Sequence, residues 1–500
     1  MDNPDNRRHF LLFPWLAFGH ILPFFHLAKR LADAKISVTF LAPASVLPRL
    51  PSLHLPHHLS LISFHPFSLP HVPDLPPEAA TTSDLPPHLQ SLLKSSLDLL
   101  QPLLHSILSK LPLNLVIQDF APYWLPKIAA KFGVPTAYFS IFNAASVAYF
   151  MVPSRRVPET PPPSASDLSS PPFGFPSSSL YVQRYEAEQL LWIYTYPEPD
   201  ISGIDRLLRT ISNSNMVIVR SCYELEGKYF EYLEKEFQSH ANRESSDRFY
   251  KNIGNLNFLP VGFLSPRLGD EAPRDNSTGI DGGSSVEKSW TECLDWLDKQ
   301  PFKSVVYVAF GTEWTLTPSQ TRAVALGLES SGARFLWIKR TPRYAPSEAS
   351  DGLPEGFVDR VHRQGLVFKE WVPQSMILAH PSVGVFFSHS GTSSVIEGLA
   401  TGKRLVLLPL VFDQGLIARL VANEWKAAIE IEGRSLEDGN FTSELINRAI
   451  VRVVMEAEDT ETWINAKDLQ ARVFGNMELQ DKYIKLFVDH VDTLVCCKKE

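Results

Sequence analysis

The chain has 500 residues, a length that accommodates two domains of roughly 100–250 residues each and excludes a disulfide-stapled miniprotein. Hydrophobic residues make up 44% and charged residues 20%, which is the mixture of a folded globular protein rather than a disordered one. The 47 Lys and Arg residues are outnumbered by 55 Asp and Glu residues, and the net charge of −8 gives no overall attraction to nucleic acid or to an anionic membrane.

The apolar stretch of residues 10–27 is not predicted to be a signal peptide. Pro14, Gly19, His20 and Pro23 interrupt it. No other segment offers the ~20 uninterrupted apolar residues of a membrane span. The four cysteines show neither a disulfide framework nor the paired spacing of a zinc site. We therefore predict a cytoplasmic protein without a transmembrane segment.

The first fifty residues predict a βαβ unit, with strands at 10–13 and 37–41 and a helix at 22–32. A parallel unit places its functional loop at the carboxyl end of the first strand, which is where His20 falls. Further strands are predicted at 115–118, 136–140 and 216–220, with helical patterns between them. The first half of the chain is therefore predicted to be a doubly wound parallel sheet.

Prolines total 40 and concentrate at 51–87 and 153–176, two segments predicted to be long surface connections. Two interpretations of these loops stay open. They are either ordinary solvent loops or walls over an apolar pocket, and four phenylalanines support the second interpretation. These are Phe64, Phe67, Phe173 and Phe175.

A second α/β domain is predicted after a linker rich in Gly and Pro at 261–289. Its predicted helices lie at 291–298, 318–330 and 394–400, and its predicted strands at 304–310, 334–339, 366–369, 383–388 and 404–408. The predicted domains are an N-terminal domain at 1–260, a C-terminal domain at 290–478 and a final helix at 479–500. Two similar α/β halves predict a site in the cleft between them.

The segment from Trp371 to Gln414 carries the densest functional pattern. After the strand at 383–388, a turn leads to hydroxyl residues at a helix start, and such a helix end binds anions through its free N–H groups. Trp371 is suited to stack on a base, and Asp413 with Gln414 to bind sugar hydroxyls. Glu397 has an alternative interpretation, because Ser394 to Glu397 also spells a capping box. Taken together, the segment predicts a pocket for a nucleotide sugar.

This 44-residue block resembles the signature box of plant family-1 UDP-dependent glycosyltransferases, which have the GT-B fold of two Rossmann-like domains. The resemblance implies that Trp371 stacks on uracil, that Gln374 and Glu397 bind the ribose, and that His389, Ser394 and Thr312 bind phosphate. It further implies that Asp413 and Gln414 bind the sugar, where a Gln tends to accompany UDP-glucose. The remaining donor-binding positions implied are Val372, Gly391, Thr392, Ser393 and Ser140. Thr392 and Ser393 stand where the family usually has Trp and Asn.

His20 and Asp119 are the candidate catalytic pair. Each follows a predicted strand, and a neutral imidazole takes a hydroxyl proton near neutral pH while a carboxylate fixes its tautomer. A histidine in a turn is otherwise usually structural, but both positions match the catalytic dyad of the family that the box resembles. The resemblance implies direct, inverting displacement of UDP. The sequence contains no Asp-x-Asp triplet, so neither a metal nor another cofactor is predicted, and the UDP-sugar serves as co-substrate.

Three other histidines lie close together, at positions 54, 57 and 58. Prolines surround them, and no Cys or carboxylate stands at ligand spacing in the sequence. We therefore predict a loop there and no zinc site.

The acceptor site is predicted to lie in the N-terminal half, lined by aromatic residues near the motif strand ends. The candidates are Phe18, Tyr123, Trp124, Phe142 and Phe150, each of which is equally suited to a core position. The stretches DFAPYWLP and YFSIFNAA resemble a subgroup that adds a sugar to an existing sugar of terpenoid or flavonoid glycosides. That subgroup includes soyasaponin rhamnosyltransferase-like members, so UDP-rhamnose is an alternative donor.

Two other functions are compatible with an α/β chain of this length. A dinucleotide-dependent oxidoreductase is disfavoured because no G-x-G-x-x-G follows any predicted strand. A non-catalytic sugar-nucleotide binding protein would keep Trp371 and Glu397 but would not need His20 or Asp119. The sequence thus predicts an enzyme, expected to act as a monomer, whose final helix crosses back to the N-terminal domain by resemblance to the family.

Overall fold

The computed structural model describes residues 7–51, 53, 56–156, 161–195, 201–241, 253, 256–267, 286–311, 314–340 and 352–496. The chain forms two compact units. The first contains Met1–Ser178, Leu190–Leu264 and Met477–Glu500, and the second contains Ser179–Gln189 and Ser265–Asn476. Residues 179–189 thus belong to the second unit, although the sequence analysis assigned them to the first.

The strands of the first unit form a seven-stranded parallel sheet in the order β3-β2-β1-β4-β5-β6-β7. They are β1 His9–Phe13, β2 Ser37–Pro43, β3 Ile62–Phe67, β4 Leu115–Gln118, β5 Thr136–Ser140, β6 Met216–Val219 and β7 Asn257–Pro260. The central strands are continuous apolar runs, as expected when both faces of a parallel sheet are covered. The predicted doubly wound sheet is confirmed, but β3 and β7 were not predicted.

The strands of the second unit form a six-stranded parallel sheet in the order β10-β9-β8-β11-β12-β13. They are β8 Val305–Ala309, β9 Arg334–Ile338, β10 Gly365–Phe368, β11 Val383–Ser388, β12 Arg404–Leu407 and β13 Ala428–Glu430. The prediction of a second α/β domain is confirmed. The short strand β13 was missed.

Helices connect these strands on both faces of each sheet. In the first half they are α1 Phe18–Asp33, α2 Pro56–Leu61, α3 Ser91–Asp98, α4 Gln101–Lys110, α5 Leu125–Lys131, α6 Ala144–Phe150, α7 Ala165–Ser169, α8 Arg184–Thr195, α9 Gly203–Asn213 and α10 Tyr223–Ala241. In the second half they are α11 Val286–Leu297, α12 Pro318–Ser331, α13 Phe357–Val361, α14 Gln374–Ala379, α15 Thr392–Ala400, α16 Gln414–Arg419, α17 Ser443–Met455, α18 Glu461–Leu469 and α19 Met477–Cys496.

The alternation of side chains along β1 divides the core of the first unit in two. Phe10 and Leu12 join a cluster with α1 and with Phe487 of the final helix α19. Leu11 and Phe13 face the other way and join a cluster with α3, α4 and α5. Because successive strand residues point to opposite faces, this one strand anchors both layers of helices.

The proline-rich segment 51–87 is not one long loop, which corrects the prediction. It contains α2 and the strand β3, whose residues pair in parallel with β2 from Val38↔Ile62 to Pro43↔Phe67. The sheet tolerates Pro66 because β3 is an edge strand with no ladder partner on its outer side.

The four phenylalanines of the proline-rich segments do not form one pocket wall. Phe64 contacts the rings of Phe25 and Phe40, and Phe67 packs edge-on against Phe13, so both belong to the interior. Phe175 packs against Tyr149, Tyr229 and Tyr232, while Phe173 is 95% exposed.

The predicted linker at 261–289 lies partly outside the described residues, which omit 268–285. Its first residues, Val261 and Leu264, are buried in the core of the first unit. Across the described part of the chain, no helix combines the length and apolarity needed to cross a membrane.

Candidate active site

In each sheet the strand order reverses at one position, the topological switch point, where successive strands begin to be added on the other side of the first strand. In the first sheet β1 lies between β2 and β4, and in the second β8 lies between β9 and β11. Ligands of open α/β sheets bind beyond the carboxyl ends of the strands at such points. The predicted site residues follow these strands, so each unit presents its candidates at the edge where binding is expected.

His20 and Asp119 meet at the switch point of the first sheet. His20 is the third residue of α1, and Asp119 directly follows β4, which pairs with β1 up to Phe13↔Gln118. The His20 Nδ1 atom lies 2.8 Å from Asp119 Oδ2. The structure therefore brings together the two residues predicted as a catalytic pair.

The Asp119 carboxylate is held in one orientation. It is 1% exposed, and its Oδ2 accepts a hydrogen bond from the backbone N–H of Trp15 at 3.1 Å. Its Oδ1 accepts one from the N–H of Phe120 at 2.7 Å. Because a carboxylate only accepts, His20 Nδ1 donates to it, and the proton-free lone pair of the imidazole is then on Nε2.

Aromatic rings surround His20. Phe120 lies 5.9 Å and Phe142 6.3 Å from its ring, centroid to centroid. Phe18 lies under the Arg49 guanidinium at 4.4 Å, and Tyr123 under that of Arg206 at 5.1 Å. Three of the predicted acceptor residues lie in the first unit with partly exposed side chains: Phe18, Tyr123 and Phe142.

The other two predicted acceptor residues are buried. Trp124 donates its indole N–H to Asp98 at 2.8 Å, and Phe150 packs against Tyr149. Their role as acceptor contacts stays a prediction. Ser140 is also buried at the end of β5, where its hydroxyl donates to the carbonyl of Phe142 at 3.2 Å.

In the second unit, the two side chains assigned to the ribose touch each other. Gln374 Nε2 donates to Glu397 Oε2 at 2.7 Å and to the hydroxyl of Ser394 at 3.3 Å. The capping-box interpretation of Glu397 is wrong, because α15 begins at Thr392 with Gly391 as its N-cap, which places Ser394 inside the helix.

Trp371 and Val372 follow the carboxyl end of β10. The Trp371 indole is 52% exposed, whereas Val372 is buried beside it. An exposed indole is suited to stack on a base.

The turn between β11 and α15 carries residues that were predicted to bind phosphate. The N-cap of α15 is Gly391, which makes no side-chain capping bond, and the first-turn N–H groups of an α-helix have no acceptor within the helix itself. The turn is tight, because Ser390 adopts a φ of 68°, a conformation that costs a non-glycine residue about 1 kcal/mol.

His389 lies between two glycines. A Cβ at Gly311 would come within 2.7 Å of His389 Nε2, and one at Gly391 within 2.6 Å, so only glycine fits at either position. Burial lowers the pKa of His389 to about 4, against a smaller opposing effect of the Ala309 backbone. His389 is therefore neutral at pH 7, so the phosphate contact predicted for it would be a hydrogen bond rather than a contact between charges. Thr312, the remaining predicted phosphate ligand, lies outside the described residues.

Asp413 and Gln414 stand at the beginning of helix α16. Asp413 is its N-cap, and both residues are buried. The Gln414 side-chain oxygen accepts hydrogen bonds from the backbone N–H groups of Leu410 at 2.9 Å and Val411 at 3.0 Å. Because these bonds occupy the oxygen, the amide NH2 is the end of Gln414 that is suited to donate to a sugar hydroxyl.

Comparison with known proteins identifies the family. A family model described as UDP-glucoronosyl and UDP-glucosyl transferase matches residues 287–460. The chain is 33% identical over 499 residues to the anthocyanidin-3-O-glucoside rhamnosyltransferase of Petunia hybrida, covering 99% of this chain and 98% of the relative. It is a plant family-1 UDP-glycosyltransferase.

Other relatives agree with this assignment. The anthocyanidin 3-O-glucoside 2'''-O-xylosyltransferase of Arabidopsis thaliana is 33% identical, over 99% of this chain and 98% of its own length. The crystal structure of Glycyrrhiza uralensis UGT73P12 complexed with glycyrrhetinic acid 3-O-monoglucuronide superposes with a TM-score of 0.74 at 21% identity, covering 99% of this chain and 97% of that one. This similarity shows the GT-B fold of the glycosyltransferase.

Two of the clustered histidines of this glycosyltransferase have a carboxylate partner that their sequence spacing did not reveal. His57 and His58 each place Nε2 2.8 Å from the same oxygen of Asp33, at the end of α1. The carboxylate comes from Asp33, which is distant in the sequence, and His57 and His58 lie in helix α2 rather than in the predicted loop. Burial lowers the pKa of His58, and nearby positive charges at His57 and Lys29 lower it further against the opposing effect of Asp33. Both imidazoles contact one carboxylate, and the cluster attaches α2 to α1.

Proposed function

We propose that this glycosyltransferase transfers a sugar from a UDP-sugar to a sugar hydroxyl of a flavonoid or terpenoid glycoside. The proposed sugar is glucose. The observation that carries the proposal is the His20–Asp119 pair, with its 2.8 Å contact and a carboxylate fixed by two backbone N–H groups. A protein that only bound sugar nucleotides would have no use for an imidazole oriented in this way.

The proposed reaction is a single displacement with inversion. Nε2 of His20 takes the proton of the acceptor hydroxyl as its oxygen forms a bond to the anomeric carbon, and the bond from that carbon to the diphosphate breaks. Asp119 stabilises the imidazolium that forms. The negative charge that develops on UDP is met by the first-turn N–H groups of α15 and by the neutral His389.

The proposed substrates rest on the names of the relatives and on one residue. The Petunia and Arabidopsis relatives are both named for transfer to an anthocyanidin 3-O-glucoside, which supports a flavonoid glycoside as acceptor. Gln414 supports UDP-glucose through the tendency of the family. The Petunia relative is named a rhamnosyltransferase, which makes UDP-rhamnose the second candidate donor.

A donor-by-acceptor panel tests the proposal. The enzyme is incubated with UDP-glucose, UDP-rhamnose or UDP-xylose and with flavonoid and terpenoid glycosides or their aglycones. We expect UDP release and a hexose mass gain on a glycoside with UDP-glucose, and a product whose anomeric proton coupling shows inversion. Transfer to aglycones alone, or a retained anomeric configuration, would contradict the proposal.

Because the sequence lacks an Asp-x-Asp triplet, activity is expected to survive EDTA. The expected monomeric state and cytoplasmic location stay predictions.

Trp371→Ala is expected to raise the KM for the UDP-sugar roughly tenfold or more, because stacking on a base contributes about 1–3 kcal/mol. The melting temperature should change little, since the indole is already 52% exposed. The matched control is Phe302→Ala, which removes a 73% exposed ring before the start of β8, at the opposite edge of the same sheet. An unchanged KM in Trp371→Ala would remove Trp371 from the donor site.

A further inference from the structure

Residues 179–189 form a segment of the second unit, although the residues before and after them belong to the first. We refer to them as the inserted segment. Its interior side chains include Leu180, Val182 and Ala187, which are buried, and also one carboxylate, Glu186. A buried carboxylate needs a hydrogen-bonded partner of opposite charge. The position of that partner indicates which part of the second unit the inserted segment stabilises.

The partner of Glu186 is Arg419, the last residue of helix α16. Arg419 Nη1 donates to Glu186 Oε2 at 2.8 Å and Nη2 donates to Oε1 at 2.9 Å, so the pair is bidentate. Arg419 is 2% exposed, and its guanidinium also lies over the ring of Tyr181, 4.6 Å from the centroid. Bidentate pairs of this kind fix geometry as well as charge.

Glu186 also contacts the other end of the same helix. A Cβ added at Gly415 would come 2.3 Å from Glu186 Oε1, so the carboxylate packs directly on the helix backbone there. Gly415 and Arg419 are four residues apart and lie on one face of α16. One carboxylate therefore contacts both the first and the last turn of this six-residue helix.

The inserted segment in turn holds Glu186 in place. The backbone N–H of Gln183 donates to Glu186 Oε2 at 2.8 Å. Tyr185, the residue before it, packs on Gly439, where an added Cβ would come 2.4 Å from the ring, and lies under the Arg434 guanidinium at 5.2 Å. The carboxylate is thus a fixed point rather than a mobile side chain.

Charge makes the arrangement specific to a carboxylate at position 186. Burial alone would lower the pKa of Arg419, but the hydrogen bonds and charge of Glu186 raise it above its usual value. Glu430 also faces Arg419, at 3.4 Å, yet burial and the nearby charge of Glu186 raise the pKa of Glu430 to about 7 against the opposing effect of Arg419. Glu186 is therefore the main counter-ion of Arg419.

We propose that Glu186 is a positioning residue for the donor sugar, which it influences by fixing helix α16, at whose beginning Asp413 and Gln414 stand. The inference rests on the proposed function, in which Asp413 and Gln414 bind the sugar hydroxyls. The residues assigned to uracil and ribose, Trp371, Gln374 and Glu397, lie on other elements. Loss of Glu186 should therefore weaken recognition of the sugar and not of the nucleotide.

The test is Glu186→Gln, which keeps the size of the side chain but removes its charge. Binding of UDP-glucose and of UDP is measured by calorimetry, with UDP-rhamnose replacing UDP-glucose if it proves the better donor. We expect the affinity for the UDP-sugar to fall about tenfold, while that for UDP stays within about twofold. The matched control is Glu188→Gln on the same helix, whose exposed carboxylate pairs with Arg184 and should change neither value.

If Glu186→Gln does not fold, a second variant tests the same contact by changing helix α16 instead of the carboxylate. Gly415→Ala leaves every charge in place but pushes the helix away from the carboxylate, and it should show the same selective loss. An equal loss of UDP and UDP-sugar affinity, or no loss in either variant, would overturn the inference.

Gln414→Ala separates this inference from the function on which it rests. If that variant binds the UDP-sugar as the wild type does, the assignment of the sugar site fails. If it binds the UDP-sugar more weakly while Glu186→Gln does not, only the role of Glu186 is wrong.

Discussion

His20→Ala is expected to lower kcat by about 10²–10⁴-fold, the usual contribution of a general base. The affinity for UDP should stay within about twofold, because the residues assigned to uracil, ribose and phosphate belong to the second unit. His20 is a partly exposed residue at the beginning of α1, so its truncation should not unfold the unit. Steady-state kinetics with the best donor and acceptor, together with UDP titration calorimetry, measure both quantities.

The matched control is His9→Gln. His9 is the first residue of β1, the strand that leads to His20, and its Nε2 lies 2.8 Å from the Thr39 hydroxyl. The substitution therefore removes an imidazole at the amino end of β1, away from the carboxyl end that leads to His20. It should leave kcat nearly unchanged. A kcat of wild-type size in His20→Ala would refute the base assignment, whatever the effect of the control.

Much of this site could be predicted because short-range patterns determine strand ends. The strands at 115–118, 136–140 and 383–388 were predicted with the bounds that the structure has, since each is an apolar run closed by polar residues. His20 and Asp119 could therefore be placed after strands. That β1 and β4 are neighbours was not readable from the strands themselves, because their pairing joins residues about a hundred positions apart.

The parts that were missed depend on tertiary contacts. β13 has three residues and is stabilised by its pairing with β12 rather than by its own pattern. Proline concealed β3, which an edge position permits. Glu186 and Arg419 are 233 residues apart, and a glutamate in a helix is usually solvent-exposed, so no local signal marks it as buried.

Asp119→Asn is expected to lower kcat by about 10³-fold or more, as removal of the orienting carboxylate does in comparable His-Asp pairs. All three groups that contact Asp119 are donors: the N–H groups of Trp15 and Phe120 and the Nδ1–H of His20. The amide NH2 of an asparagine would face a donor in either orientation.

The orientation of that amide decides the outcome. If its NH2 faces His20, it also faces the N–H of Trp15, which loses its acceptor. The imidazole must then accept at Nδ1 and carry its proton on Nε2, and it can no longer act as a base. If its NH2 faces Phe120 instead, the N–H of Phe120 loses its acceptor and His20 keeps its tautomer, but the negative charge that stabilises the imidazolium is lost. Each orientation leaves one buried N–H group without an acceptor, at a cost of about 1–3 kcal/mol. The histidine tautomer, read from the ¹⁵N shifts of His20, distinguishes the two.

Asp205→Asn serves as the control for losing a buried carboxylate in the same unit. Asp205 accepts two hydrogen bonds from Arg156 at 3.0 Å, so its replacement should lower the melting temperature while leaving kcat within a few fold. If Asp119→Asn and Asp205→Asn lower kcat and stability in parallel, Asp119 serves the fold alone. A selective loss of kcat in Asp119→Asn, with Nε2 of His20 protonated, is the result that follows from a carboxylate whose task is to keep that nitrogen free for the acceptor hydroxyl.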